Sequence, residues 1–360
     1  LNWAQELLLD NLWYLNIILK VRQLGVTTFF CILYLDDVLF NGYDAGLIAH
    51  TLQDATKIFD SKINYAWDNL PEAIKKRYIV DTETKRELKF KLKNSKIESS
   101  IYVGTSLRSG TVQRLHVSEL GTIDQRYPHK SEEIKSGALN TVHKGQIITI
   151  ESTAKGQSGV FYDICKQAME LAKSGKELSE MDWKFFFLPW WKHPSYRLKG
   201  DIIIPTELQD YFKELEEKHN IFLDQEQKNW YYKKWKTQKQ SMKSEYPSTP
   251  DEAFFLNIEG AYFGKQMDRV LAEPWEPTLP VHTAWDLGLE KSKKDATSIV
   301  FWQDVGLEVR IIDFYSSSGE GLQHYIKVLQ EKPYTYGHHY APHDIEVKEL
   351  GTGKSRVDTK

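Results

Sequence analysis

The chain has 360 residues, 41% hydrophobic and 27% charged, with a formal charge of −3, and at about 150 residues per domain this predicts two or three domains, each with its own core. Such a balance excludes extended disorder and a generally basic nucleic-acid coat, so any grip on nucleic acid has to come from local patches. Two cysteines far apart, Cys31 and Cys165, exclude a disulfide framework and read as small buried thiols in a reducing compartment. In chain order, the first strong pattern is LNIILKVRQLGVTT at 15–28: a buried strand, a loop ending Gly-Val-Thr-Thr, and the start of an apolar helix. A nucleotide-binding loop begins this way, with backbone N–H groups around phosphate, a lysine on the terminal phosphates and a hydroxyl on magnesium. Aligning Gly25 and Thr27 with the end of GxxxxGK[ST] puts Val26 where the lysine belongs and Lys20 where the first glycine belongs. A lysine is a charge on a flexible stem and can serve the same phosphates from the start of the loop. An ordinary strand-turn-helix is the alternative. The apolar run at 26–35 is too short to span a bilayer, and the N-terminus lacks the marks of a signal peptide, so the protein is expected to be intracellular with no membrane role.

Residues 99–124, SSIYVGTSLRSGTVQRLHVSELGTID, read as two apolar strands joined by a Gly and Ser turn that carries Arg108. The second strand ends in Ser118-Glu119. In loop-type ATPases such a strand ends in two acids, one tuning magnesium and the next orienting the attacking water. Glu119 fits the second role, whereas Ser118 holds an ion only weakly or through water. A third buried strand at 147–150 runs into Glu151-Ser152-Thr153, and Phe161, Ile164, Ala168 and Leu171 follow at helical spacing. Alternating strands and helices predict an α/β fold on a parallel sheet, with Lys20, Thr27, Glu119 and Thr153 at the carboxyl ends of its strands, where ligands bind. From about 182 to 275 the pattern loosens into a connecting subdomain with an amphipathic helix at 208–215. Its stretch 228–243 interleaves six lysines with Trp230, Tyr231, Tyr232 and Trp235. That is either a surface for phosphates and bases or a helix with aromatics in the core and lysines in solvent.

Strands at 281–286, 297–303 and 309–315, a helix at 320–330 and a strand-like segment at 340–344 follow, each bounded by turn formers. Acids end the first and fourth strands, Asp286 and Asp344, with Asp295 and Asp313 as weaker candidates. This is the ribonuclease H plan, in which clustered carboxylates hold two hard divalent ions. His338, His339 and His343 lack nearby cysteines, and His338 and His339 point oppositely on an extended strand, so a closed zinc site is not expected.

These words resemble the large terminase subunits of tailed bacteriophages. KVRQLGVTT is similar to the deviant nucleotide loop of that family, with its lysine moved to Lys20 and Arg22 inside the loop; LHVSELG resembles a Walker B strand of one branch; IESTA resembles the coupling motif; NWAQ resembles the adenine-reading glutamine motif. AWDLG and PHDI resemble the nuclease words, and EYPSTPDEAF the segment between motor and nuclease. The resemblance implies a P-loop ATPase domain at 1–196, a linker subdomain at 197–275 and a C-terminally incomplete ribonuclease H-like nuclease at 276–360. It implies ATP with Mg2+, or Mn2+ at the nuclease. Gln5, Lys20, Arg22, Gly25, Thr27, Thr28 and Thr153 would contact nucleotide, Glu119 and Arg108 would serve hydrolysis, and Asp286 and Asp344 would serve cutting. Metal would meet Thr27 in the motor and Asp286 and Asp344 in the nuclease. A turn arginine in solvent is the alternative for Arg108. The implied partners are double-stranded DNA, the small terminase subunit and the portal protein, with the chain in a homo-oligomeric ring on the portal in the host-cell cytoplasm. The sequence opens on Leu1 and stops at Lys360, before the element that would carry a third acid, and so reads as a fragment. The rival readings are a helicase or translocase without nuclease activity and a non-catalytic prophage remnant.

Overall fold

The computed structural model describes residues 1–107, 111–141, 145–254, 275–287, 296–306, 308–318 and 321–342. Two compact units result, Leu1–Asn257 and Ile258–Lys360. Strands β1 (Leu15–Lys20), β2 (Ala45–Ile48), β3 (Tyr78–Glu83), β4 (Glu87–Leu92), β5 (Glu98–Gly104), β6 (Arg114–Ser118), β7 (Ile147–Ser152) and β8 (Trp183–Leu188) build the first unit. They form one sheet in the order β3-β4-β5-β2-β6-β7-β1-β8. From β5 to β8 every neighbouring pair is parallel, and β3 and β4 add an antiparallel edge. The mixed α/β class with a mostly parallel sheet is as expected. Strands β5 and β6 do not pair with each other, because β2 lies between them, so the link carrying Arg108 joins two parallel strands across a third.

Parallel strands must be covered on both faces, and the side-chain alternation of β1 shows how. Ile18 enters one hydrophobic cluster with helix α1 (Trp3–Asp10) and helix α2 (Val26–Asp36), while Ile17 and Leu19 enter another with helix α3 (Leu120–Arg126) and helix α4 (Val160–Ser174). The segment after residue 196 packs on the first of these clusters. Leu208, Phe212 and Leu215 of helix α5 (Thr206–His219), Tyr231 of helix α6 (Gln225–Gln238) and Met242 of the short helix α7 (Met242–Glu245) all join it. In α6 the aromatics take the core side: Trp230 stacks on Tyr196 at 4.2 Å and on Trp190 at 5.4 Å, and Tyr231 is buried. Lys233, Lys236 and Lys239 stay exposed. The EYPSTPDEAF segment is a staple, with Ser248 accepting from the Trp190 indole at 2.9 Å and Glu252 accepting from Tyr211 at 2.9 Å.

In the second unit β9 (Val281–Asp286), β10 (Ala296–Val305), β11 (Glu308–Ser318), helix α8 (Leu322–Glu331) and β12 (Tyr336–Tyr340) follow the expected succession of three strands, a helix and a strand. The sheet order is β11-β10-β9-β12, with β12 parallel to β9 and the other pairs antiparallel. Tyr325 and Leu329 of α8 close a core with Val281, Ile299 and Phe301. The fourth strand comes earlier than the expected 340–344. Tyr336 pairs with Val281 as soon as the chain leaves Pro333, and a register shift precedes the pairing of His339 with Thr283. Neighbouring histidines do face opposite ways: His339 meets the Thr283 hydroxyl at 2.7 Å, whereas His338 stacks on His282 at 5.4 Å.

Candidate active site

At the carboxyl ends of β6, β7 and β1, three adjacent strands bring one lysine and two acids together. Lys20 ends β1, and its ammonium lies 2.9 Å from Glu119 Oε1 and 3.0 Å from Glu151 Oε2. The Lys20 side chain is 8% exposed and that of Glu151 is 0% exposed. Burial pulls the lysine pKa down, and the Glu151 and Glu119 carboxylates more than reverse this, leaving it above the ordinary lysine value. The ammonium is therefore charged at neutral pH, as a phosphate-binding lysine must be.

The loop after β1 is fastened from α1. Asn2 caps that helix and donates through Nδ2 to the Leu24 carbonyl at 2.9 Å. Gln5 accepts from the Asn2 N–H at 3.0 Å and donates to the Gly25 carbonyl at 3.1 Å. Gly25 precedes α2 with φ of 69°, and a Cβ there would stand 3.0 Å from the Gln5 amide nitrogen. Both the left-handed backbone and the close approach call for glycine. The first N–H groups of α2, at Val26, Thr27 and Thr28, begin an 11-residue helix whose amino end favours anions. Thr27 and Thr28 then diverge. The Thr27 hydroxyl donates to Glu151 Oε1 at 2.8 Å, while Thr28 accepts from Lys62 at 2.8 Å.

Glu119 follows β6 with φ 58° and ψ 45°, a left-handed conformation that costs a non-glycine residue about 1–3 kcal/mol and clusters at functional sites. Three contacts hold it: its N–H donates to the Glu151 carbonyl at 2.7 Å, its Oε1 meets Lys20, and its Oε2 accepts from Ser152 at 3.3 Å. Gly121 lets α3 approach β7, since a Cβ would meet Ser152 Oγ and the Thr153 carbonyl at 2.9 Å each. Thr153 is buried directly after β7. Ser118 donates to Glu151 Oε1 at 2.8 Å. A cavity of about 220 Å³ opens beside Ser118 and Glu119 and is lined also by His50, Lys57 and Lys62.

The structure thus brings Lys20, Thr27 and Glu119 together, with Gly25 and Gln5 shaping the loop. Arg22 points elsewhere, into a charge cluster with Glu245 of α7. Arg22 Nε pairs with Glu245 Oε2, Arg22 Nη2 stands 3.3 Å from Oε1, and Lys155 reaches Oε1 at 2.6 Å. Asp286 ends β9 and is exposed. Asp313 is tied to Lys332 and to the Tyr334 hydroxyl. Burial pushes its pKa up, and the Lys332 and Phe314 N–H contacts reverse this to leave it low, as in a settled ion pair. Arg108, Asp344, Asp295 and His343 lie outside the described residues.

Sequence reasoning passed over Glu151, although a carboxylate ending a fully buried strand, IITIES, was a visible signal. It also passed over His116, buried under Phe30 and bonded through Nδ1 to Thr149 at 2.8 Å. Burial, then the Lys20 charge, depresses its pKa to about 3, so the imidazole is neutral. Among the described residues no group of three His, Cys, Asp or Glu side chains is placed to hold a metal ion. A magnesium ion that keeps waters and phosphate oxygens needs only one or two carboxylates. The oxygen donors Thr27, Ser118, Glu119 and Glu151 fit that hard cation, and beyond the Lys20 ammonium Glu151 Oε2 has no partner among the described residues. No helix among them is long and apolar enough to cross a membrane.

No protein-family model matches the chain, and no curated protein does. Among solved structures it is similar to the large terminase ATPase domain of Thermus phage P74-26, at 14% identity and a TM-score of 0.39, covering 68% of this chain and 92% of that one. A second similar structure is the large terminase of bacteriophage HK97, at 13% identity and a TM-score of 0.42, covering 92% and 67%. A third is the large terminase of the thermophilic bacteriophage D6E in complex with ADP, at 12% identity and a TM-score of 0.36, covering 90% and 71%.

Proposed function

We propose that the first unit hydrolyses ATP and that the chain is a DNA-packaging motor of the terminase large-subunit kind. In this reading it couples hydrolysis to translocation of double-stranded DNA and cuts the DNA with a metal-dependent endonuclease in the second unit. The observation that carries the reading is the charged Lys20 ammonium, buried at the end of β1 between Glu119 and Glu151 beside the amino end of α2. In the resting protein the two acids satisfy the lysine. When a triphosphate enters against α2, the same ammonium turns to its terminal oxygens as a stronger charge-assisted partner. Glu119 is then released, and its carboxylate orients water and accepts the water proton. The Thr27 hydroxyl stands where the loop would meet a divalent cation, whose chemistry is to neutralise charge on the phosphates. Thr153, next to Ser152 on which Glu119 leans, reports the nucleotide state to the rest of the motor, and Gln5 borders the loop as the adenine contact; Arg22, paired with Glu245 in the resting protein, would have to leave that carboxylate to meet phosphate. Arg108 adds positive charge in the transition state.

In the second unit Asp286, with Asp344, would hold Mg2+ or Mn2+; the strand order with β12 parallel to β9 supports this assignment. The small terminase subunit, the portal protein and a homo-oligomeric ring in the host-cell cytoplasm belong to the same proposal.

The test is ATP hydrolysis by the purified chain with and without linear double-stranded DNA, beside Lys20→Ala. Turnover that depends on Lys20 and rises with DNA is expected. Absence of both turnover and ATP binding overturns the motor and favours a decayed remnant.

A further inference from the structure

Glu151 is fully buried, and its surroundings ask for more than a structural role. The parallel register pairs Ser118 with Glu151 directly, so the two side chains leave the same face of the sheet at the same level, one strand apart. Position 118 is where an ATPase strand of this design needs the cation-tuning acid, and it holds serine. The hydroxyls of Thr27 and Ser118 both turn to Glu151 Oε1 at 2.8 Å. Its Oε2 has the Lys20 ammonium, at 3.0 Å, as its one partner among the described residues.

Charge balance takes the argument further. One ammonium now serves two carboxylates. If Lys20 turns to phosphate, Glu119 retains partial access to solvent at 31% exposed, but Glu151 at 0% does not. A buried carboxylate without a counter-charge is strongly unfavourable. The neighbouring imidazole of His116, 3.8 Å from Oε1, is buried and cannot supply the charge without being protonated there. A cation arriving with the nucleotide supplies it.

We propose that Glu151 is the carboxylate that positions the divalent cation of the bound nucleotide, one strand to the side of Ser118, with Thr27 and Ser118 orienting it. This rests on the ATPase reading above. The alternative role is a passive anchor for Lys20. The two differ in whether Glu151 matters to nucleotide affinity in general or only to the part contributed by metal.

The experiment measures binding of a fluorescent, non-hydrolysable ATP analogue to the full chain in EDTA and in Mg2+. The wild type is expected to bind more tightly in Mg2+. Glu151→Gln keeps the acceptor for both hydroxyls and removes the charge; it is expected to bind in EDTA at least as tightly as the wild type, being spared the uncompensated buried carboxylate, and to lose about 10–100-fold of the gain from Mg2+. The exchange Ser118→Asp with Glu151→Ser moves the carboxylate to the neighbouring strand and is expected to restore the gain, a result an anchor role does not give. It also keeps the test open if Glu151→Gln does not fold. A full Mg2+ gain in Glu151→Gln, or none in the folded exchange variant, overturns the proposal. Failure of the wild type to bind any nucleotide instead overturns the ATPase reading beneath it.

Discussion

In the first unit the acids at the strand ends, Glu119 and Glu151, are folded around Lys20; in the second, Asp286 stands exposed at the end of β9, and no described cation is placed against it. The first arrangement carries its own counter-charge. Its acids are held in position before any ligand arrives, and breaking the cluster must therefore cost folding energy as well as function. A carboxylate in solvent carries no such linkage. Its removal touches only what it binds, and the geometry needed for two-metal chemistry has to be completed by other groups. The contrast is between a site integrated with the core and a site displayed at the exposed end of a strand, and each side of it can be tested.

The largest effect is expected from Glu119→Gln, which keeps the contact to Ser152 and removes the base. ATP turnover should fall about 10²–10⁴-fold while nucleotide binding persists. Turnover that survives would move the catalytic role away from the strained residue after β6. Lys20→Ala comes next, read as stability. It leaves Glu151 buried without its partner, so unfolding free energy should drop by about 3–5 kcal/mol, measured by denaturant titration. A drop under about 0.5 kcal/mol, the range of ordinary surface changes, would show that the cluster is not part of the core and would erase the contrast between the units.

His116 sharpens the same side through pH. Its pKa lies near 3 in the folded unit against an ordinary 6.5, so between these values the unfolded chain binds more protons. Stability is then fully present above pH 6.5 and is lost as pH falls toward 3, at a slope of up to about 1.4 kcal/mol per pH unit. His116→Gln removes this contribution. Between pH 7 and pH 5 the variant should lose less unfolding free energy than the wild type, and equal losses would mean that the imidazole is not held neutral.

Legibility in the sequence followed the same divide between local and non-local information. Strands β1, β6 and β7 were readable because a strand buried on both faces is a continuous apolar run with its polar residue at the end, as in LNIILK and IITIES. The four residues of β2, AGLI, are too few to show a period, whereas β4, ELKFKL, alternates strictly, with Leu88 and Phe90 buried between the exposed Lys89 and Lys91, and was a signal passed over. Of the candidate site, Lys20, Thr27 and Glu119 were legible as a nucleotide-loop pattern. Glu151 was visible as a carboxylate in a buried strand, but its place beside Lys20 depends on the pairing of Ser118 with Glu151 and of Ile18 with Glu151 across two neighbouring strands, which no local pattern shows. Arg22 was read as a phosphate contact, but its partner Glu245 lies 223 residues away. Periodicity could not choose between core and binding surface for Trp230 and Tyr231; stacking on Trp190 and Tyr196 did.

The smallest expected effect sits in the second unit. Asp286 follows Trp285 at the exposed end of β9, opposite Ser298 of β10, and the residues that close the core, Val281, Ile299 and Phe301, lie further along the strands. Asp286→Ala should therefore change unfolding free energy by no more than about 0.5 kcal/mol. It should also leave ATP turnover in the first unit intact. Metal-dependent nicking of plasmid DNA, if the second unit cuts as proposed, should disappear in the same variant. Loss of ATPase and nicking together would mean that the two sites are one cooperative structure, which contradicts their opposite burial. Retained nicking would mean that the carboxylate displayed at the end of β9 is not where the metal binds.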